Sequence, residues 1–155
     1  MVNQSSNFRL KFIIEGIPEL SRVFKTLSNR LSDFREPLEK SAQLVLTDVD
    51  YNFSTEGSLS GGWQPLARST VKGRLREGFG GEHPILQRTG RLRGSFSSRV
   101  TATKAVITSD SPYFVYHQSR QPRTKIPRRA MLLLTERTKQ NIVQEFHSFL
   151  RFNTL

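Results

Sequence analysis

Ser95-Phe96-Ser97-Ser98-Arg99-Val100-Thr101-Ala102-Thr103-Lys104-Ala105-Val106-Ile107-Thr108 is the stretch on which the fold turns. Two β-rich runs, Ser95 to Thr101 and Lys104 to Thr108, flank a connection short enough only for a tight reversal, and so predict an antiparallel hairpin. Downstream, Pro112 opens an aromatic segment, Tyr113-Phe114-Val115-Tyr116. Between Ser119 and Arg129 the chain is polar and basic and holds Pro122 and Pro127, which predicts a loop leading into a short extended piece. A terminal helix is expected from Leu132 to Phe152, with Ile142, Val143, Phe146, Phe149 and Leu150 on one side.

Upstream of the hairpin, residues 54–94 carry most of the glycines and almost no long apolar run. They are expected to form an extended, partly irregular excursion from the core. Before them, Leu31, Phe34, Leu38, Ala42, Val45, Val49 and Phe53 recur at helical spacing. Asp33 is placed to cap that helix and Glu36 to complete a capping box, with Pro37 tolerated in the first turn. Leu20, Val23, Phe24 and Leu27 predict a shorter amphipathic helix over 18–29, and Phe8, Leu10, Phe12 and Ile14 alternate as a strand over 8–14. The expected class is α+β: a small antiparallel sheet packed against two or three helices, with a long glycine-rich excursion, in one domain spanning 1–155.

The formal net charge of +11 in 155 residues points to polyanions or to acidic faces of neighbouring subunits. The excess is segregated. Residues 60–130 hold 14 of the 24 basic side chains and 3 of the 13 acidic ones, and the rest of the chain balances. Arginine outnumbers lysine there, and its planar fork suits carboxylates and phosphates alike. With no cysteine, disulfides, thiolate metal sites and cysteine nucleophiles are excluded. The polar start of the chain, followed by alternation, is unlike a signal peptide or a membrane span, so assembly in the cytoplasm is the expectation.

No catalytic set emerges. His83, His117 and His147 have no carboxylate or second histidine at ligand spacing. Asp48 and Asp50, two apart on a helix, diverge and read as a solvated face. The clusters Gly57, Gly61, Gly62 and Gly78, Gly80, Gly81 lack the Gly-Lys-Ser/Thr of a phosphate loop. Ser95, Ser97 and Ser98 have no placed base. No metal or cofactor is expected, and no enzymatic activity.

Three segments carry a specific signal: Gly62-Trp63-Gln64-Pro65-Leu66 with Ser69-Thr70; Ile85-Leu86-Gln87-Arg88-Thr89-Gly90-Arg91-Leu92-Arg93-Gly94-Ser95-Phe96; and Pro112-Tyr113-Phe114-Val115-Tyr116-His117-Gln118. In order and spacing, across about residues 20–150, the chain resembles the phage virion morphogenesis family, the tail-completion proteins of Mu-like and related phages. It departs from that pattern at Ser119 and Arg120, where an aromatic residue and glycine are common, and at Ala130, where proline is usual. The resemblance implies a structural protein of the tail or neck that forms an oligomeric, sixfold ring. Its neighbours would be the tail tube or terminator and the head–tail connector, with genomic DNA passing through the lumen, and no membrane is involved. A free nucleic-acid-binding protein is the rival reading, on the same basic charge.

The residues expected to matter follow from the motifs. Trp63 and Pro65 anchor the glycine-rich segment, Trp63 to the core in preference to a neighbouring subunit. Thr89 and Gly90 form a turn before the hairpin, Gly90 with a positive backbone angle, followed by Leu92. Tyr113, Tyr116 and His117 are expected to pack beside the sheet with their polar tips satisfied locally. Arg123, Lys125, Arg128 and Arg129 are expected to face another subunit or a DNA passage, because their loop has no apolar cluster of its own to order it.

Overall fold

The computed structural model describes Lys25, Ser28, Asn29 and residues 32–120 and 125–151. The chain divides into two units between Asp33 and Phe34. In the first, Lys25, Ser28, Asn29 and Ser32 are helical, and the Ser32 hydroxyl donates to the Asn29 carbonyl at 2.6 Å. The strand expected over 8–14 and most of the helix expected over 18–29 lie outside the described residues.

The second unit is α+β. Helix α1 (Arg35–Ser54) leads through a 3-10 turn at Ser58–Ser60 to α2 (Arg68–Arg76). Strands β1 (Phe96–Val100) and β2 (Ala105–Ser109) follow, then the short α3 (Phe114–Gln118) and the long α4 (Glu136–Arg151). The strands pair antiparallel from Phe96 opposite Ser109 to Val100 opposite Ala105, and the turn closes where the Thr101 amide donates to the Lys104 carbonyl at 2.8 Å. The expected hairpin is thus present with its ends moved by one residue.

Helix α1 keeps Pro37 in its first turn, where a missing N–H costs nothing, and buries it with Ser41, Ala42, Val49, Asn52 and Phe53. Its cap differs from expectation: the N-cap position is Phe34, which makes no side-chain cap bond; its amide instead donates to the Ala102 carbonyl at the hairpin turn, 2.7 Å away. The helix stops because Glu56 and Gly57 take left-handed angles, φ 51° and 93°, and the Gly57 amide returns to the Asn52 carbonyl at 2.8 Å. A non-glycine residue in that region is strained. Both carboxylate oxygens of Glu56 hold it there: one accepts from the Ile85 amide at 2.8 Å, the other meets His83 Nδ1 at 2.6 Å.

The core is Val49, Phe53, Trp63, Ile85, Leu92 and Met131, flanked by half-buried Leu66, Phe96 and Phe114. Phe53 meets Trp63 edge-on, with ring centroids 5.3 Å apart, and Phe96 meets Phe114 likewise at 5.5 Å. This corrects the expected excursion: residues 54–94 turn inward, contribute Trp63, Ile85 and Leu92 to the core, and contain a helix. Those apolar residues are too far apart in sequence to show a period, so only tertiary packing brings them together.

Helix α4 begins at Glu136, after Leu132 has packed against the core and the chain has run through Leu133 without regular structure. The Thr135 hydroxyl caps it, accepting from the Thr138 amide at 3.1 Å. Thr138 in turn donates to the Asp48 carboxylate on α1, so Asp48 is a structural acceptor and not part of a solvated face. Phe146 and Phe149 pack on Phe34 with centroids 5.8 and 6.1 Å away. Val143 and Leu150, expected on the same side of the helix as Phe146 and Phe149, are exposed.

Candidate functional site: a basic cleft

The three motif segments converge on one open cleft of about 720 Å³. The turn at Thr89 forms one part of its lining, α2 with Arg74 a second, and His117 with the segment from Lys125 to Arg129 a third. Tyr113 stands at its edge.

The back of this site is tied together by side-chain hydrogen bonds to buried backbone. Trp63, 7% exposed, donates Nε1–H to the Ala130 carbonyl at 2.9 Å. Asn52 Nδ2 donates to the same carbonyl at 2.9 Å and to that of Met131 at 3.3 Å, while its Oδ1 accepts from the Leu59 amide. Gln118 donates to the Leu132 carbonyl at 2.7 Å and accepts from the amides of Met131 and Leu132 at 2.9 and 3.1 Å. A segment without secondary structure of its own thereby has its polar backbone satisfied inside the fold, as buried backbone requires.

Arg129 belongs to the same framework. It is 4% exposed; Nε donates to the Gln64 carbonyl and Nη2 to the Pro65 carbonyl, both at 2.9 Å. Burial pulls its guanidinium below the ordinary arginine range. The expectation that Arg129 faces outward is therefore corrected: it ties the Trp63–Pro65 motif to the last connection, and Pro65 takes part through its carbonyl. Lys125 is exposed at the cleft and Arg128 is exposed beside it, with Arg128 Nε donating to the Gln118 carbonyl at 3.2 Å. Arg123 lies outside the described residues.

The other motif residues separate. Leu92 is core, and Gly90 has φ 73° as anticipated, with the Gly94 amide closing a turn onto its carbonyl at 3.0 Å. Thr89 is exposed at the cleft. Tyr113 and Tyr116 are 62% and 43% exposed, and Phe114 between them takes the inward position. His117 is half-buried, and its Nδ1 is sealed from solvent without a hydrogen-bond partner. Burial first, and then the Arg129 charge, hold this imidazole below its ordinary 6.5, with the Pro127 carbonyl acting the other way.

Sequence reasoning missed Asn52, Arg74 and Glu56, and quoted Gln118 in the third motif without giving it a role. Asn52 left a trace, since position 52 falls on the α1 face that carries Val49 and Phe53 and a polar residue in a buried stripe needs partners. Arg74 left none, because α2 itself was unforeseen. Arg93 was counted only as charge, yet it pairs with Asp50 at 2.6 Å and donates to Gln87 at 2.9 Å, while Gln87 donates to the Phe53 carbonyl.

Among the described residues no group of His, Asp and Glu is placed to hold a metal ion, and no helix is long and apolar enough to cross a membrane. The fold and cleft define a small α+β protein whose distinctive feature is a rigidly supported basic surface. The chain belongs to the phage virion morphogenesis family, whose model matches residues 17–151. Its role therefore lies in building a phage particle. No match to a curated protein or to a solved structure was found.

Proposed function

We propose that the chain is a non-enzymatic subunit of an oligomeric ring that completes the phage tail or joins it to the head connector. The family membership carries this reading. It is supported by an outer surface that combines exposed cations at Lys125, Arg128 and Arg91 with exposed Tyr113 and Val115 at the start of α3. Ring closure uses heterologous contacts, one face of a subunit meeting a different face of the next, and a sixfold ring matches a sixfold tail tube. The neighbours in this reading are further copies, the tube or terminator and the connector, with DNA passing through the lumen.

The test is reversal of Lys125 and Arg128 to Glu. Both side chains are exposed, so folding is unaffected, whereas Arg129 is unsuitable because its charge is internal. Loss of tail joining with a normally folded chain is the expected result, and fully infectious particles reject the proposal. Tight, steeply salt-dependent binding of DNA by the isolated chain would instead favour a free nucleic-acid-binding protein.

A further inference from the structure

Two arginines in the cleft are buried without a counter-charge. Arg74 and Arg129 are each 4% exposed, and neither lies within ion-pair distance of a carboxylate among the described residues. Arg74 makes one hydrogen bond, Nη1 to the Pro84 carbonyl at 3.1 Å, and its Nε is buried without a partner. The acid that lines the cleft, Glu77, is engaged by Arg88 at 2.9 Å. His117, on the far wall, supplies no negative charge, and Arg91 and Lys125 add positive charge at the rim. A guanidinium stays protonated when buried, and a buried charge with no partner is among the least favourable placements in a fold. Such an arrangement persists where an anion supplied from outside completes it.

We infer that the cleft is a receptor for an acidic side chain, Asp or Glu, carried on a segment of a neighbouring virion polypeptide. This rests on the assembly reading above and names the chemistry of the contact. Charge complementarity selects an anion, and the apolar part of the lining, Leu66, Leu86 and Ile126, selects one on a carbon stem. A phosphate of duplex DNA fits less well, because it lies on a broad convex cylinder and Arg74 and Arg129 are recessed. Bidentate pairing with a carboxylate uses the planar donor edge that a lysine would not provide.

The experiment follows the arginine Nε–H signals of the full chain by nitrogen-15 NMR during titration with the peptide acetyl-Leu-Glu-Glu-Leu-amide, with its Gln counterpart as control. The expected result is a saturable shift of the Arg74 signal with the Glu peptide and none with the Gln peptide. Arg74→Met, read through the Arg129 Nε–H signal that shifts alongside Arg74 in the native chain, is expected to abolish the response without lowering the thermal midpoint, since it removes an unpaired charge. The double variant Arg91→Gln/Lys125→Gln, altered only at exposed positions, is expected to weaken binding by about tenfold. No saturation by the Glu peptide, an equal response to the Gln peptide, or a response to a short DNA duplex in its place overturns the inference. Such a failure alongside defective joining by the Lys125/Arg128 reversal would leave the assembly role standing and remove only the carboxylate site.

Discussion

Replacing Trp63 by Ala removes an indole that touches Phe53 edge-on and satisfies the Ala130 carbonyl, and is expected to cost about 3–5 kcal/mol. Urea unfolding followed by circular dichroism checks this, and a loss below about 1 kcal/mol would contradict a core role. Gly57 is coupled to the same ring. A Cβ built there would fall 2.2 Å from Trp63 Cδ1 at a φ of +93°, so Gly57→Ala combines steric overlap with an unfavourable backbone and should cost about 1–3 kcal/mol or more. The third residue is His117. Its imidazole titrates below 6.5 in the folded chain through burial and the Arg129 charge, so the unfolded chain binds the proton first as pH falls. The stability it contributes is complete above the unfolded value and is lost as pH drops through the folded one. Unfolding midpoints measured at pH 7 and about pH 5.5 should diverge for the native chain and converge for His117→Gln.

Helix α4 is held to α1 by a few specific contacts. The Thr135 hydroxyl caps it, and Thr138 reaches the Asp48 carboxylate. Thr135→Ala is expected to cost about 1 kcal/mol. Thr138→Val, which strands a partly buried carboxylate, is expected to cost about 1–3 kcal/mol. Hydrogen exchange should show both as faster exchange across α4 with the hairpin amides unchanged; uniform loss of protection over the whole unit would show that α4 does not open separately. The long helix α1 and the hairpin were legible because their periods, 3.6 and 2, are written in adjacent residues. The start of α4 was not, since Leu132 and Leu133 extend its apolar pattern backward while the Thr135 cap and the Gln118 bonds decide where the helix begins.

Taken whole, the molecule leaves apolar groups beside α3 exposed and outside its core. Tyr113 and Val115 are 62% and 57% exposed at the start of α3. Converting both to Ser should change stability by no more than about 0.5 kcal/mol, while reducing incorporation of the chain into particles, measured by quantifying it in purified virions. Undiminished incorporation would remove α3 from the assembly surface. Arg123, Lys125, Arg128 and Arg129 formed one basic cluster in the sequence, and the fold divides it: Arg129 serves the interior, Lys125 and Arg128 remain outside. One-dimensional charge density cannot distinguish these cases, because burial depends on which carbonyls the distant Gln64–Pro65 segment presents.

By itself the sequence determined the α+β class, the hairpin, the main helix and the family, since each is encoded by local periodicity or by motifs of fixed order. Tertiary structure alone decided that the glycine-rich segment turns inward. Its three core residues, Trp63, Ile85 and Leu92, act only when Val49, Phe53 and Met131 are already beside them. It also decided the cleft, whose opposing arginines come from positions 74 and 129. Neither position reads as interior in the sequence, Arg129 being expected to face a partner, until the fold removes water from it and supplies carbonyls, but no carboxylate among the described residues, in return.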